Sequence, residues 1–469
     1  MSESARGTGR RRTAGWVWAV VVLAVIAWGR PAVAAPPLKI ERWTMANGLV
    51  VLLVERHAIP AVEAHLVMKA GAVTDPEGRA GLAALTAGLL LKGTAARSAV
   101  EIAEAIDFIG GSLTARADDD VSTLTLTALK KDLPAALNVM VDALLRPAFP
   151  AAEVERLRRE TLSGIRAAKD DPEDVAQKAF APLVFGLHPY RNPVEGLEST
   201  VPTLTREEVV AFHRTYYRPN NAILAVVGDL GAPEARRVVQ AAFGRWEKAP
   251  MLPVTVTPAP PVADQAVALI DKDLTQATII LGHLGIARTD PDFYPVTVMN
   301  YILGGGGFAS RLMTTIRDNR GLVYGISSGF DAKRYPGAFS VSLQTKTASA
   351  GEAIRAVREE LARMRAEGVT DAELDAAKEY LAGSFPLRFE TNAKLARLLG
   401  LVEFHGLGLR YFEDYPRAIR AVTRDDVRRV AAARLDPERA VLVVVGRTRE
   451  LALDPAPQPA AASPAAPSP

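Results

Sequence analysis

The chain has 469 residues, of which 49% are hydrophobic, and it contains no cysteine. The absence of cysteine excludes disulfide bonds, thiol catalysis and cysteine-ligated zinc. At about 150 residues per domain, the length predicts two or three domains. The formal net charge is +3, but residues 1–34 alone hold five arginines and one glutamate, so no basic surface for nucleic acid is predicted.

The N-terminal segment has the pattern of a secretory signal peptide over residues 1–34. Arg10, Arg11 and Arg12 precede an apolar run over 14–28, and small residues follow at 32–35. The run is shorter than the ~20 residues that span a bilayer, so we predict cleavage and export, with an uncleaved anchor as the alternative. At the other end, residues 449–469 are rich in alanine and proline and are predicted to be disordered.

The first predicted element is a β-hairpin, because Asn47-Gly48 is a two-residue turn signal between the segments 39–45 and 49–55. Further strands are predicted over 62–69 and 121–129, and two buried strands over 222–227 and 440–445. Predicted helices lie at 78–91, 98–109, 132–146, 151–168, 173–184 and 205–216. Because strands and helices segregate along the chain rather than alternate, the pattern favours an α+β fold.

An internal repeat with an offset of 218 residues divides the chain. Thr205 begins the sequence TREEV and Thr423 begins TRDDV, and in each copy a proline follows after 14 residues and a glycine after 23. Both threonines are predicted to be helix N-caps. A repeat of this length indicates two copies of one domain. We predict domains over 35–248 and 265–448, joined by a proline-rich linker over 249–264.

Residues 81–94 carry the frame of a zinc-binding helix without its ligands. The inverted zinc-peptidase motif is H-x-x-E-H within G-x-A-H-x-x-E-H-x-x-x-K-G-T. The frame residues present are Gly81, Ala83, Lys92, Gly93 and Thr94. The two histidine positions hold Ala84 and Gly88, and the glutamate position holds Ala87. None of these side chains offers a donor atom to a metal.

On this frame, the chain resembles the pitrilysin/insulinase family of inverted zinc metallopeptidases, in a version that lacks H-x-x-E-H. The resemblance implies two homologous α+β domains, each an antiparallel-rich sheet with helices packed on it, facing each other around a cleft or chamber. It also implies a third ligand, a glutamate on a later helix, where this chain has Ser163 and Gly164. Since no two histidines are three or four residues apart, we expect this chain to bind no metal.

A second frame that matches the family, I-R-x-x-R-G-L-x-Y, contains Arg317 and Tyr324, seven residues apart. In the family, the second domain supplies such a pair to the active site. The guanidinium holds a substrate carbonyl, and the phenol donates to the oxyanion. The resemblance therefore implies that Arg317 and Tyr324 are catalytic. Sequence chemistry alone favours a structural role, since an arginine near a helix C-terminus interacts with the helix dipole.

Four consecutive glycines precede this pair in the second domain. In the family, the loop formed here by Gly304, Gly305, Gly306 and Gly307 borders the cleft, which implies substrate binding. No Lys-Ser/Thr pair follows, so a phosphate-binding loop is not predicted. The alternative is a turn at a helix C-terminus.

Residues 109–120 stand where active family members carry a substrate-binding strand. An edge strand can bind peptide by β-augmentation. The segment ends in the aspartates at 118–120, however, and such charges are typical of a solvated edge that resists aggregation. We favour the solvated edge.

The combined pattern is the oxyanion side of a peptidase active site without the metal side. We therefore expect a non-metal subunit of an exported zinc metalloendopeptidase, in the periplasm or cell envelope of a Gram-negative bacterium. It would be inactive alone and would act on unfolded peptides with a homologous H-x-x-E-H subunit that holds the zinc. The alternatives are an inert scaffold, like the core proteins of the respiratory bc1 complex, and a peptide-binding homodimer.

Overall fold

The computed structural model describes residues 38–251, 253–260 and 266–451. The predicted signal peptide and most of the predicted C-terminal tail lie outside these residues. Within them, no helix has the length and apolar character needed to cross a membrane.

A six-stranded sheet and its helices form the first half of the chain. The strands are β1 (Glu41–Thr44), β2 (Val50–Glu55), β3 (Ala61–Met68), β4 (Ser112–Ala117), β5 (Ser122–Leu129) and β6 (Ala222–Gly228). The helices are α1 (Leu82–Leu89), α2 (Ala99–Phe108), α3 (Leu133–Leu145), α4 (Ala151–Ala167), α5 (Pro172–Phe185), α6 (Arg206–Tyr216) and α7 (Ala232–Phe243). The strand order is β1-β2-β6-β3-β5-β4. Strands β2 and β6 run parallel, and the other neighbours run antiparallel.

A five-stranded sheet forms the second half. Its strands are β7 (Val267–Asp271), β8 (Gln276–Leu284), β9 (Val323–Phe330), β10 (Ala338–Lys346) and β11 (Val441–Gly446). The helices are α8 (Phe293–Asn300), α9 (Ala350–Glu367), α10 (Asp371–Gly383), α11 (Asn392–Phe404), α12 (Tyr411–Ala421) and α13 (Arg424–Arg434). The strand order is β7-β11-β8-β10-β9, and β7 and β11 run parallel.

The two sheets have the same topology once β1 is set aside. Strands β2, β6, β3, β5 and β4 of the first sheet correspond in order to β7, β11, β8, β10 and β9 of the second. In each sheet the last strand of the half inserts into the middle and is parallel to one neighbour and antiparallel to the other. The predicted α+β fold with two homologous halves is confirmed.

Local sequence signals set several of these elements. The hairpin turns at Asn47-Gly48 as predicted, and Gly48 takes a φ of 92° that favours glycine. Thr205 and Thr423 form capping boxes at the starts of α6 and α13, as the repeat predicted for these N-caps. Helix α1 begins later than predicted, because Gly81 has a φ of 98° and cannot belong to a right-handed helix.

Each half contributes a helix to the other half's sheet. Helix α5, from the first half, packs on β8 and β11 of the second sheet. Helix α11, from the second half, packs on β3 and β6 of the first sheet. The cores of the halves are therefore completed by exchange, so the structure of each depends on the other.

The solvated edge predicted for the aspartates at 118–120 is wrong for Asp120, which is buried. Its Oδ1 accepts a hydrogen bond from the Tyr190 hydroxyl at 2.5 Å, and its Oδ2 accepts one from the Arg334 backbone N–H at 2.9 Å. Beside it, the Lys333 Nζ lies 2.8 Å from Oδ2 of Asp119. Because Lys333 and Arg334 belong to the β9–β10 loop of the second half, these aspartates join the two halves.

Candidate functional site

Helix α1 carries the three positions at which the motif requires its histidines and its glutamate, and these positions hold Ala84, Ala87 and Gly88. The Asp75 carboxylate accepts hydrogen bonds from the backbone N–H groups of Gly81 and Ala83, at 2.9 and 2.8 Å, and so caps the helix N-terminus. Ala84 and Gly88 are half-buried on one face, whereas Ala87 is fully buried. The helix is thus intact as a structural element without any of its chemistry.

The positions of the metal ligands do not fit a zinc ion. A methyl group built on Gly88 would lie 2.9 Å from Cδ2 of Leu157, a residue of α4 that packs against the helix at this point. Ser163 and Gly164, at the third ligand position on α4, are exposed. Within 38–251, 253–260 and 266–451, no group of three or more His, Asp or Glu side chains is arranged to hold a metal ion.

Two buried histidines form hydrogen bonds within the fold. The Nδ1 atom of His65 on β3 is 2.8 Å from the Thr125 hydroxyl, and His188 Nδ1 accepts the backbone N–H of Tyr190 at 3.1 Å. Burial lowers the pKa of both imidazoles to about 4. Both therefore act as neutral hydrogen-bonding groups of the structure.

Arg317 lies on a π-helical turn, Met313–Asp318, just before β9. Its Nε donates to the backbone carbonyl of Tyr324 at 2.9 Å, and its Nη1 donates to Oδ1 of Asp318 at 2.9 Å. The guanidinium carbon is 5.2 Å from the centre of the Phe308 ring and 6.0 Å from the centre of the Tyr324 ring. Arg317 and Tyr324 are therefore in direct contact.

Tyr324 is the second residue of β9, which is an edge strand of the second sheet. Its side chain is 86% exposed, although a large aromatic ring normally finds cover in a folded domain. The neighbouring Val323 and Ile326 point inwards and are buried. Gln344 of β10 pairs with Gly325 and Thr345 pairs with Val323, so the pairing skips Tyr324. This β-bulge interrupts the alternation of the strand and leaves the phenol exposed.

The four glycines do not all occupy the same environment. Gly304 is buried, and a methyl group on it would lie 2.5 Å from the Ser328 hydroxyl, so this residue serves close packing under β9. Gly305 and Gly307 are exposed. Gly307 has a φ of 59°, which favours glycine, and ends the turn before Phe308.

Two of the predicted site residues, Gly307 and Tyr324, line a groove of about 830 Å³, whereas Arg317 and the other three glycines do not line it. Gly307, Phe308 and Tyr324 lie along one side, and the first turn of α5 forms another. The α5 residues that line it are Asp171, Glu173, Asp174 and Gln177. The structure therefore brings the glycine loop and Tyr324 to one groove, and it adds an acidic wall from the first half.

Arg311 and Phe308 are site residues that sequence reasoning did not single out. Arg311 donates from Nε and Nη2 to the two carboxylate oxygens of Glu373 on α10, at 2.7 and 2.8 Å. This pairing lowers the pKa of Glu373 to about 2. Since Arg311 follows the glycine loop, the ion pair anchors the loop to α10. The sequence FASR indicates neither role, because Glu373 and the Arg317 guanidinium come close to these residues only in the folded chain.

Two related family profiles match this chain, one after the other. The profile of the insulinase family, peptidase family M16, matches residues 50–197. The profile described as the peptidase M16 inactive domain matches residues 203–381.

Two relatives and two solved structures extend the match over most of the chain. An uncharacterized zinc protease of Streptomyces coelicolor is 33% identical over 372 residues, which cover 77% of this chain and 80% of the relative. One of Mycobacterium tuberculosis is 30% identical over 403 residues, which cover 86% and 92%. A peptidase M16 inactive domain from Pseudomonas fluorescens has a TM-score of 0.83 at 31% identity, covering 89% of this chain and all of that one. A protease from Helicobacter pylori shares the fold, with a TM-score of 0.80 at 21% identity, covering 87% and 99%. The chain therefore belongs to the insulinase family of peptidases, family M16.

Proposed function

We propose that this chain is the non-metal subunit of an exported zinc metalloendopeptidase. The observation that carries the proposal is the exposed phenol of Tyr324 beside Arg317 at the groove, on a chain whose zinc helix has no ligands. An exposed tyrosine at a groove is typical of a binding or catalytic surface. The match of residues 203–381 to the peptidase M16 inactive domain supports a subunit without its own metal, and the relatives named zinc proteases support a role in proteolysis.

In this proposal, Arg317 binds the substrate backbone and Tyr324 stabilises the transition state. The Arg317 Nη2 is not engaged by the Tyr324 carbonyl or by Asp318, so it can donate to a peptide carbonyl. The Tyr324 hydroxyl donates to the oxyanion that forms at the attacked carbonyl, an interaction worth about 3 kcal/mol. The metal and the general base belong to a homologous partner with H-x-x-E-H, and this chain supplies its pair in trans.

A scaffold or peptide-binding role is the second candidate. It is favoured by the internal bonds of Arg317, because an arginine held by a backbone carbonyl and an aspartate also serves the fold. In that case Tyr324 would bind a partner surface and not a reacting peptide. The two candidates differ in whether removal of one hydroxyl changes turnover.

The test is peptide cleavage by this chain co-purified with an H-x-x-E-H relative encoded by the same genome. Tyr324→Phe should lower kcat by roughly 100-fold while the complex stays assembled, as judged by size-exclusion chromatography. Arg317→Ala should lower kcat/KM to a similar or greater degree.

Two matched controls lie close by. Arg320→Ala removes a cation three residues from Arg317 that pairs with Glu359 on the surface, and Tyr380→Phe removes the hydroxyl of another exposed tyrosine. Both controls should cleave like the unaltered pair. If Tyr324→Phe and Arg317→Ala also cleave like the unaltered pair, the catalytic role is excluded and the scaffold role takes its place.

A further inference from the structure

Phe308 is exposed in an unusual position. It follows the four glycines directly, and its side chain is 73% exposed. The Ser310 hydroxyl donates to the Gly307 carbonyl at 2.7 Å and closes the short turn that carries the ring. The ring is therefore held at the groove by a defined turn and is directed away from the core.

The ring contacts the guanidinium of Arg317. The guanidinium carbon is 5.2 Å from the ring centre, within the range of cation–π attraction. The Tyr324 carbonyl and Asp318 hold two of the nitrogens, and the Phe308 ring lies beside the group. A long arginine side chain otherwise has many rotamers, so these contacts together select one orientation.

The glycines explain why the ring can reach this point. A methyl group on Gly305 would lie 2.7 Å from Nδ2 of Asn300, and one on Gly306 would lie 2.7 Å from the Tyr301 carbonyl oxygen. Glycine at both positions therefore lets the loop lie flat against the end of α8. A bulkier loop would lift Phe308 away from Arg317.

We propose that Phe308 is a positioning residue, which holds the Arg317 guanidinium beside Tyr324 so that its Nη2 group can donate to a bound peptide. This inference rests on the proposed catalytic role of Arg317. In this proposal the glycine loop places Phe308 beside Arg317, in addition to any contact that the loop itself makes with peptide.

The first measurement needs no partner. Arginine modification by phenylglyoxal, read residue by residue by mass spectrometry, reports how firmly the Arg317 guanidinium is held. In the isolated full chain, Phe308→Ala should raise the modification rate of Arg317 several-fold, and Phe308→Tyr should not. Phe108→Ala is the matched control, because Phe108 is a 92% exposed phenylalanine on α2. An unchanged Arg317 rate in Phe308→Ala would overturn the proposal.

The second measurement is turnover by the co-purified pair. Phe308→Ala should lower kcat by about tenfold with little change in KM, since a displaced catalytic group costs rate more than binding. Phe308→Tyr should keep the kcat of the unaltered pair. In the Arg317→Ala background, Phe308→Ala should cause no further loss of kcat.

The outcomes separate this inference from the proposed function. If Arg317→Ala lowers turnover and Phe308→Ala does not, positioning by Phe308 is excluded and the catalytic role of Arg317 stands. If Arg317→Ala leaves turnover unchanged, the catalytic role fails, and the positioning role fails with it.

Discussion

Phe180 of α5 lies directly over Gly282 of β8. A methyl group built on Gly282 would lie 2.9 Å from the Cζ atom of Phe180 and would overlap the carbonyl oxygen of Phe339. Phe180 is fully buried, so the glycine provides the space that a first-half helix needs on the second sheet.

The other half shows the same contact with the sizes reversed. Gly400 of α11 lies over Val67 of β3, and a methyl group on Gly400 would lie 2.9 Å from Cγ2 of Val67. Val67 pairs with Ile223 of β6, and Gly282 pairs with Val441 of β11, which is the repeat equivalent of Ile223. In one contact the helix supplies the large residue and the strand the glycine, and in the other contact the reverse holds. Each of these two helices therefore fits the sheet that it covers.

Gly400→Leu should lower the free energy of unfolding by about 1–3 kcal/mol, because the new side chain overpacks the contact with Val67. Val67→Ala should recover part of this loss in the double variant, since the two residues touch. Gly383→Leu is the control, because that helical glycine faces open space. Urea unfolding measures all four variants, and additive losses from Gly400→Leu and Val67→Ala would contradict the contact.

The contact of Asp120 with Tyr190 predicts a second stability effect. Burial, followed by the charge of Asp120, raises the pKa of Tyr190, so the phenol stays protonated and donates. Tyr190→Phe should therefore cost about 1.5–3 kcal/mol, the range for a hydrogen bond to a charged group. Tyr380→Phe, at an exposed site, should cost almost nothing. Equal urea midpoints for the two variants would show that the hydrogen bond from Tyr190 to Asp120 does not stabilise the fold.

Restoration of the motif should not restore the metal. The triple variant Ala84→His, Ala87→Glu, Gly88→His lacks the third ligand, and it places a carboxylate at the fully buried position 87. We expect no stoichiometric zinc by elemental analysis and a loss of about 2–4 kcal/mol in stability.

A fourth change makes this prediction sharper. Gly164→Glu adds a carboxylate at the third ligand position, where a new side chain meets open space. Zinc retention that appears only in the quadruple variant would identify position 164 as the missing ligand. One tightly bound zinc in the triple variant would show that the loss of ligands at 84 and 88 alone explains the inactive helix.

His65 predicts a loss of stability in acid. Its folded pKa is lowered to about 4 by burial, and then by the charges of Arg397 and Arg116, whereas an unfolded histidine titrates near 6.5. The unfolded chain therefore binds the proton first, and stability falls as the pH drops from 6.5 towards 4. His65→Asn should remove about 2 kcal/mol of the loss between pH 7 and pH 5, measured by urea unfolding at each pH.

His57 provides a control of opposite sign. It is exposed, and hydrogen bonds to Asp229 and Glu55 raise its pKa, so it contributes stability at low pH that is lost as the pH rises. His57→Asn should therefore make the loss in acid slightly larger. The same pH dependence in both variants would refute the assignment to His65.

Much of the fold was predictable because its signals are local. The turn at Asn47-Gly48 and the caps at Thr205 and Thr423 depend on residues within a few positions of each other. The predicted helix at 98–109 occupies Ala99–Phe108. Helix α1 is shorter than predicted, since the Gly81 conformation and its Asp75 cap lie outside the apolar period that suggested the helix.

The candidate site was predictable only in part. The spacing of Arg317 and Tyr324 resembled a family frame, and the structure places both in one contact. Nothing in the sequence indicated that Phe308 would stand exposed beside the guanidinium. The buried position of Asp120 was missed because its partners, Tyr190 and Arg334, are distant in the chain.

The sequence by itself determined the hairpin turn, most elements of the first half, the duplication and the absence of ligands on α1, because turn chemistry, apolar period and side-chain donors are properties of short segments. Only the tertiary structure decided which helix covers which sheet, how the aspartates join the halves, and what surrounds Arg317. Those outcomes depend on packing between residues that are far apart in the chain. The ring of Phe180 can lie on the second sheet only because Gly282 has no side chain at the point of contact.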